Sequence, residues 1–131
     1  MGFIPYDYAG GQPDAWLYME ASAIGTCKIG MALTVTTGKL TAATGTTKPS
    51  YISMYEGTVA SGDVIPVIAV SPGTRFMTTF SATPTSIVVG SKLTIHTDSL
   101  QVTATTTGGV AEVSELRGAT ASGDEVLVFF P

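Results

Sequence analysis

The residues that could do chemistry in this chain are few. The 131-residue sequence contains one histidine, His96, and one cysteine, Cys27. A Ser-His-Asp or Cys-His nucleophile would have to use His96, which the sequence pattern places in a hairpin turn. Zinc sites require several His or Cys ligands, and the sequence has neither a phosphate-binding glycine loop nor an EF-hand spacing. We therefore predict a protein that is not an enzyme and that holds no metal or cofactor.

Two of the ten carboxylates recur in one context. Asp63 and Asp124 each follow Ala-Ser-Gly and precede an apolar stretch. Paired carboxylates could serve acid–base catalysis, but glycine suits a tight turn and Asp can accept hydrogen bonds from the local backbone. The pattern therefore predicts structural turns rather than a catalytic pair, and the same reasoning applies to the other recurrent or hairpin glycines. The predicted turn residues are Gly30, Gly38, Gly62, Asp63, Gly90, Gly123 and Asp124.

The composition excludes several classes of function. Only 12% of the residues are charged and the net charge is −4, so no basic stripe exists to neutralise the phosphates of a nucleic acid. No apolar run approaches the length of a membrane-spanning helix. The start of the chain lacks the pattern of a secretory signal, and the lone Cys27 cannot form an internal disulfide, so we expect intracellular synthesis. Scarce charge also leaves a surface that another protein could cover.

The sequence nearly repeats itself. Gly30 aligns with Gly90 at an offset of 60 (90 − 30), and Gly62 aligns with Gly123 at an offset of 61 (123 − 62). Carried backwards at the offset of 60, the alignment places Trp16-Leu17 on Phe76-Met77. These matches predict an extended N-terminal arm over 1–14 and one β domain over 15–131, built from repeat one (15–70) and repeat two (75–131). Two repeats are too few for a solenoid.

The elements that must position these residues are predicted to be strands. Apolar residues alternate with Thr or Gln in two hairpins, Leu33–Val35 with Leu40–Ala42 and Leu93–Ile95 with Leu100–Val102. Further strands are predicted over 15–20, 51–55, 64–70, 75–80, 110–113 and 125–130. Short strands at this spacing indicate an all-β fold, a compact β-barrel or sandwich of two pseudo-symmetric repeats of roughly 60 residues.

Both ends of the chain are rich in aromatic residues. Proline and paired glycines disfavour a helix over 2–14, and aromatic side chains are costly to leave in water. We expect this arm either to pack on its own domain or to lie on a neighbouring subunit. The last strand either lies inside the domain or contributes to contacts with a partner. The residues predicted to contact a partner are Phe3, Ile4, Tyr6, Tyr8, Trp16, Phe129 and Phe130.

The repeated Gly-x-x-Leu-Thr-[Val/Ile] hairpins at 30–35 and 90–95, with the Ala-Ser-Gly-Asp-x-[Val/Ile]-x-Val strands at 60–67 and 121–128, resemble the capsid decoration or head-stabilising proteins of tailed bacteriophages. These proteins are small, Thr- and Gly-rich and nearly all-β, with an extended N-terminal arm. The resemblance implies a homo-oligomer, a trimer in that family, that binds the major capsid protein on the outside of the virion. It also implies synthesis in the bacterial cytoplasm.

Two other functions are compatible with the sequence. One is a surface-displayed module that binds a ligand or carbohydrate, for which Trp16, Tyr51 and Tyr55 are the available aromatic platforms. The other is an accessory protein of a phage neck or tail, which the sequence does not separate from a capsid protein. The ligand-binding module predicts a monomer with an exposed aromatic groove, whereas the decoration protein predicts self-association or binding to a capsid.

Overall fold

The protein is almost entirely composed of β-strands. The computed structural model describes the backbone of all 131 residues and every side chain except that of Ala9. One short 3-10 turn covers Ala9–Gly11, and the described backbone contains no α-helix. The all-β prediction is therefore confirmed. The strands are β1 (Ile4–Asp7), β2 (Leu17–Glu20), β3 (Gly25–Cys27), β4 (Ala32–Thr36), β5 (Lys39–Ala42), β6 (Tyr51–Ser53), β7 (Gly57–Val59), β8 (Val64–Ala69), β9 (Arg75–Thr79), β10 (Lys92–Leu93), β11 (Ala111–Glu115) and β12 (Glu125–Phe129).

The strands form three antiparallel sheets. Sheet I has the order β2-β8-β6-β4-β5, sheet II has the order β1-β9-β12-β11-β10, and sheet III consists of β3 and β7. In sheet I a single parallel bridge joins Ala21, directly after β2, to Leu40 on β5. In sheet II a single parallel bridge joins Phe80, directly after β9, to Val102. One bridge does not form the continuous ladder of pairs that closes a sheet. Neither sheet is a barrel, so the barrel alternative is corrected.

The two predicted hairpins differ in the structure. In the first, β4 and β5 pair from Leu33–Ala42 to Thr36–Lys39 around a two-residue turn, and Thr37 and Gly38 both have positive φ, as such tight turns require. This hairpin is confirmed. The second is shorter than predicted, because β10 covers only Lys92–Leu93 and the pairing beyond it is the isolated bridge of Ile95 with Val102.

Sheets I and II contain matching hydrogen bonds. The N–H of Gly30 donates to Ser53 O, and that of Gly90 donates to Val113 O, at 2.8 and 2.9 Å. The N–H of Ala21 donates to Asp63 O, and that of Phe80 donates to Asp124 O. Strand neighbours also agree, because β2, β8, β6 and β4 lie in the order in which β9, β12, β11 and β10 lie.

The pairing registers of the first strands of sheets I and II match at an offset that differs from the predicted one. Leu17 lies opposite Val67, and Phe76 lies opposite Val128. Leu17 therefore takes the position of Phe76, and Trp16 that of Arg75, at an offset of 59 (76 − 17) rather than 60. A slip of one residue moves every side chain to the other face of a strand, so offsets of 59 and 60 place these side chains on opposite faces.

Two hydrophobic clusters stabilise the layers. The larger cluster contains the inward side chains of sheet II together with Ala32, Ile52 and Ile68 from one face of sheet I. The smaller cluster lies on the other face of sheet I, where Leu33 and Val67 are packed with residues that include those of sheet III. Sheet I is thus covered on both faces. The outer face of sheet II belongs to neither cluster, and along it Leu127 is fully buried whereas Ile4 is exposed.

Candidate interaction surfaces

The N-terminal residues form an edge strand of their own domain. Strand β1 pairs antiparallel with β9, with Ile4 opposite Met77, Pro5 opposite Phe76 and Asp7 opposite Arg75. Proline is tolerated here because an edge strand needs ladder hydrogen bonds on one side only. Of the two expected positions for the arm, the structure shows packing on the chain itself, and residues 4–7 belong to sheet II rather than to a free arm.

Two of the predicted partner contacts are core residues instead. Phe3 and Phe130 are both fully buried, and their ring centroids lie 5.5 Å apart. The backbone N–H of Phe3 also donates to Gly30 O at 2.8 Å. Large apolar side chains at a chain end must be covered, and here the two ends of the chain cover each other. The assignment of Phe3 and Phe130 to a partner interface is therefore corrected.

Arg75 holds β1 on sheet II. Its Nη2 lies 2.7 Å from Asp7 Oδ2, its Nε donates to both Asp7 oxygens at 3.1 Å, and its Nη1 contacts Ser114 Oγ and the carboxylate of Glu115. The hydrogen bonds from Arg75 hold the pKa of Asp7 below its ordinary value. Sequence reasoning missed this network, because its three charged residues lie far apart in the chain and no local pattern joins them.

The remaining predicted contacts on β1 lie at the surface. Ile4 and Tyr6 are exposed, and the Tyr6 ring lies beneath the guanidinium groups of Arg75 and Arg117, at 5.4 and 5.7 Å from its centroid. Tyr8, directly after β1, is half-buried. Pairing places Ile4, Met77 and Leu127 side by side on the outer face of sheet II, and alternation places Phe129 on that face too. We name this surface the β1 face; its residues are Ile4, Tyr6, Met77 and Phe129, the last two half-buried.

A second group of exposed apolar residues lies at the start of the first strand of sheet I and directly before it. Trp16, Leu17 and Tyr18 are 55%, 42% and 69% exposed, and Val64, opposite Glu20 at the other end of the strand pair, is 61% exposed. Large exposed apolar side chains in one place mark an interaction site more often than single ones do. The sequence analysis predicted only Trp16 for such a role. The feature that could have identified Leu17 and Tyr18 is that this edge strand carries apolar residues on both of its faces.

The recurrent turn residues take up structural positions. Gly62 and Gly123 have φ of 91° and 89°. The carboxylate of Asp63 accepts a hydrogen bond from Ala60 N–H, and that of Asp124 accepts hydrogen bonds from the N–H groups of Thr120 and Ala121. These bonds hold the pKa of Asp124 below its ordinary value. Gly30, Gly38 and Gly90 likewise have positive φ. A polar hollow of about 430 Å³ next to the second turn is lined by Arg117, Gly118, Ala119, Gly123, Asp124 and Glu125.

The two residues with the most reactive side chains lie apart from these surfaces. Cys27 is buried in the smaller cluster, with its Sγ 3.2 Å from Ser53 Oγ, and burial raises the pKa of its thiol. His96 is half-buried in the second hairpin turn, where its backbone N–H donates to Gln101 O. Among the side chains that the structure describes, no three His, Cys, Asp or Glu residues are grouped so that they could hold a metal ion.

No helix in the described part of the chain has the length and apolar character needed to cross a membrane. No protein-family model matches this sequence, and no curated protein sequence matches it.

Proposed function

We propose that this chain is a structural virion protein that binds the outside of a phage capsid and stabilises the shell by clamping neighbouring subunits. The observation that supports this proposal is the β1 face. A strand fixed to sheet II by the Arg75 ion pairs presents Ile4 and Tyr6 outward, beside the half-buried Met77 and Phe129. The proposal includes self-association as a trimer and the major capsid protein as the partner.

The physical character of the β1 face suits binding to another protein. Aromatic and aliphatic side chains supply contact area with few torsions to immobilise, and Tyr6 is already held by two guanidinium groups. A protein that binds the assembled shell more tightly than the free subunit stabilises the shell by mass action. The low charge of the chain means that few ionic groups lose water on contact.

We also propose that sheets I and II are two copies of one duplicated unit, preceded by the N-terminal segment. The matching hydrogen bonds of Gly30 and Gly90, and of Ala21 and Phe80, support this proposal.

The carbohydrate-binding alternative needs a shared aromatic groove. Tyr51 and Tyr55 pack against the smaller cluster and are half-buried, while Trp16 is exposed directly before β2. No contact in the described part of the chain joins these rings into one platform, so no observation favours this function. A neck or tail accessory protein would use the same kind of surface as a capsid protein.

The test is co-sedimentation with capsid shells of the phage that encodes the chain, from which this protein has been removed. We expect the wild-type protein to bind the shells and Ile4→Asp to lose binding. The matched control is Val35→Asp, since Val35 is a strand residue of similar exposure on sheet I, 43% against 36%. Wild-type protein that does not bind the shells would overturn the capsid proposal. Equal binding by both variants would overturn the assignment to the β1 face.

A further inference from the structure

The only two arginines of the chain meet at one tyrosine ring. Arg75 and Arg117 place their guanidinium groups 5.4 and 5.7 Å from the centroid of the Tyr6 ring. The chain has six basic residues, and the other four (6 − 2) are lysines. A planar guanidinium stacks on an aromatic face and binds a carboxylate through two hydrogen bonds, which the ammonium group of lysine does not do. Both residues with this capacity therefore lie at the β1 face.

The two guanidinium groups differ in what neutralises them. Arg75 forms ion pairs with Asp7 and with Glu115. Among the side chains that the structure describes, no carboxylate forms an ion pair with Arg117. The acidic residue closest to it in the sequence, Glu115, is bound to Arg75 instead. The charge of Arg117 is thus left without compensation beside Tyr6.

The backbone of Arg117 has a conformation that arginine rarely adopts. Its φ is 54° and that of Gly118 is 73°, and Ala119 N–H donates to Leu116 O at 3.0 Å, which closes a two-residue turn. Turns with two residues at positive φ favour Asn-Gly or Asp-Gly, because Asn and Asp tolerate this conformation. The turn therefore does not account for an arginine at this position, which leaves its side chain as the reason.

Arg117 reaches Tyr6 across the outer face of sheet II. Strands β9 and β12 lie between β1, which carries Tyr6, and β11, which Arg117 follows. Three strand spacings amount to about 14 Å, so both side chains must extend towards each other for the guanidinium and the ring to lie 5.7 Å apart. Leu127 of β12, on the same face, is fully buried, as expected if these side chains cover it. The guanidinium of Arg117 is therefore held over the β1 face.

The surface beside Arg117 has room for a side chain of another protein. The polar hollow of about 430 Å³ is lined by Arg117 and by two acidic residues, Asp124 and Glu125. The carboxylate of Asp124 accepts hydrogen bonds from two backbone N–H groups of its own turn. Glu125 lies opposite Thr79, four residues (79 − 75) or about 13 Å along β9 from Arg75. Neither acid forms an ion pair with Arg117, and the hollow leaves space for a carboxylate that would.

We propose that Arg117 belongs to the β1 face and binds an aspartate or glutamate side chain of the partner protein. This inference rests on the proposed function, because it names the chemistry of the partner that the β1 face contacts. The guanidinium can donate two parallel hydrogen bonds to a carboxylate, and arginine is enriched among the residues that dominate binding energy. Contact with the Tyr6 ring holds this side chain in place before binding, which lowers the entropy lost on docking.

The test uses co-sedimentation with the capsid shells from which this protein has been removed, and compares the wild type with Arg117→Gln. Glutamine removes the charge and keeps a polar side chain. We expect the variant to bind about tenfold more weakly, because the charge-assisted hydrogen bonds are lost. Raising the NaCl concentration from about 0.01 M to about 0.15 M should weaken binding of the wild type more than that of the variant, because salt screens the ion pair.

The matched control is Lys48→Gln, which removes the same charge from an exposed loop of sheet I and should bind as the wild type does. Lys48 forms no ion pair among the side chains that the structure describes. Arg117→Asn is a second neutral variant with a residue that suits the turn. We expect it to unfold at the same temperature as Arg117→Gln or higher and to bind as weakly, which separates lost binding from a folding defect.

The possible outcomes separate this inference from the proposed function. Wild-type protein that does not bind the shells would overturn both. Binding that Ile4→Asp removes, but that Arg117→Gln and Arg117→Asn leave unchanged, would overturn the role of Arg117 alone. Weaker binding by Arg117→Gln with the salt dependence of the wild type would also overturn the inference, because Arg117 would then not contact a carboxylate.

Discussion

Corresponding rows of side chains in sheets I and II differ in burial. The row in sheet I is buried, whereas the row in sheet II lies at the surface. In sheet I, Ala32, Ile52 and Ile68 lie side by side across β4, β6 and β8, and all three belong to the larger cluster. The corresponding row of sheet II consists of Lys92, Glu112 and Phe129, which are exposed or half-buried. The backbone pairing is alike, so the side chains decide which face a second layer can cover.

The edges of the two sheets show the opposite pattern. The edge of sheet II is covered by β1 and Phe3, whereas the corresponding edge of sheet I, with Trp16, Leu17 and Tyr18, is open. An apolar row is thus buried on the face of sheet I and an apolar edge is left free on the same sheet. Exposed edges are commonly protected by charge, proline or a covering segment, and in sheet II the covering segment is β1.

The largest change in the free energy of unfolding is expected when residues are exchanged between the two rows. Ile52→Glu gives sheet I the residue of sheet II and buries a carboxylate in an apolar cluster, so we expect it to lower the free energy of unfolding by about 4 kcal/mol or more. The reverse change, Glu112→Ile, lies at the surface and should alter stability by about 1 kcal/mol or less. Urea unfolding followed by circular dichroism measures both. Similar losses for the two variants would contradict the assignment of the rows.

A smaller effect is expected at the two edges. Phe3→Ala removes a fully buried ring packed on Phe130 and should cost about 3 kcal/mol or more. Leu17 lies in sheet I where Phe76 lies in sheet II. Leu17→Ala should cost about 1 kcal/mol or less, because nothing in the chain covers that side chain fully. The same urea experiment compares them. If Leu17→Ala were as damaging as Phe3→Ala, the edge of sheet I would not be open.

The smallest effect concerns the ion pair that fastens β1. Asp7→Asn should lower stability at neutral pH by about 1 kcal/mol or less, as expected for a pair near the surface. The hydrogen bonds from Arg75 lower the folded-state pKa of Asp7 below its unfolded value, so this stabilisation is present above the unfolded pKa and is lost as the pH falls through the folded value. Thermal unfolding of the wild type and of Asp7→Asn should therefore converge in acid.

The control for this experiment is Glu56→Gln, since Glu56 is exposed and forms no ion pair among the side chains that the structure describes. Its difference from the wild type should be small at every pH. A constant difference between Asp7→Asn and the wild type down to strongly acidic pH would show that Asp7 does not act through its charge.

Local signals predicted much of the fold. Gly38 and the alternating residues on either side of it were sufficient for the first hairpin, because a two-residue turn with positive φ fixes the register by itself. The second hairpin, without a glycine in its turn, was predicted longer than it is. Strands β1, β3 and β7 were not predicted. Each has three or four residues, and β1 pairs with a strand about 70 residues away (77 − 4 = 73 for Ile4 and Met77).

The candidate surfaces were predicted only in part. The large apolar side chains near the start of the chain predicted partner contacts for Ile4, Tyr6 and Trp16, but this signal could not separate them from Phe3 and Phe130. Those five residues are similar in chemistry and differ in what the distant chain places over them. Leu17 and Tyr18 were missed because exposure on both faces of a strand follows from its position at a sheet edge, and neighbouring strands decide that position.

Residue types and local spacing were enough to predict the all-β class and the turns at Gly62-Asp63 and Gly123-Asp124, and they leave no second His or Cys to work with His96 or Cys27. These properties depend on residue type and on contacts within a few positions. Only the tertiary structure decided that sheet I is covered on both faces, that β1 fills the edge of sheet II, and that the edge of sheet I at β2 is open. Those outcomes depend on pairing between distant segments, where a shift of one residue reverses which side chains are buried.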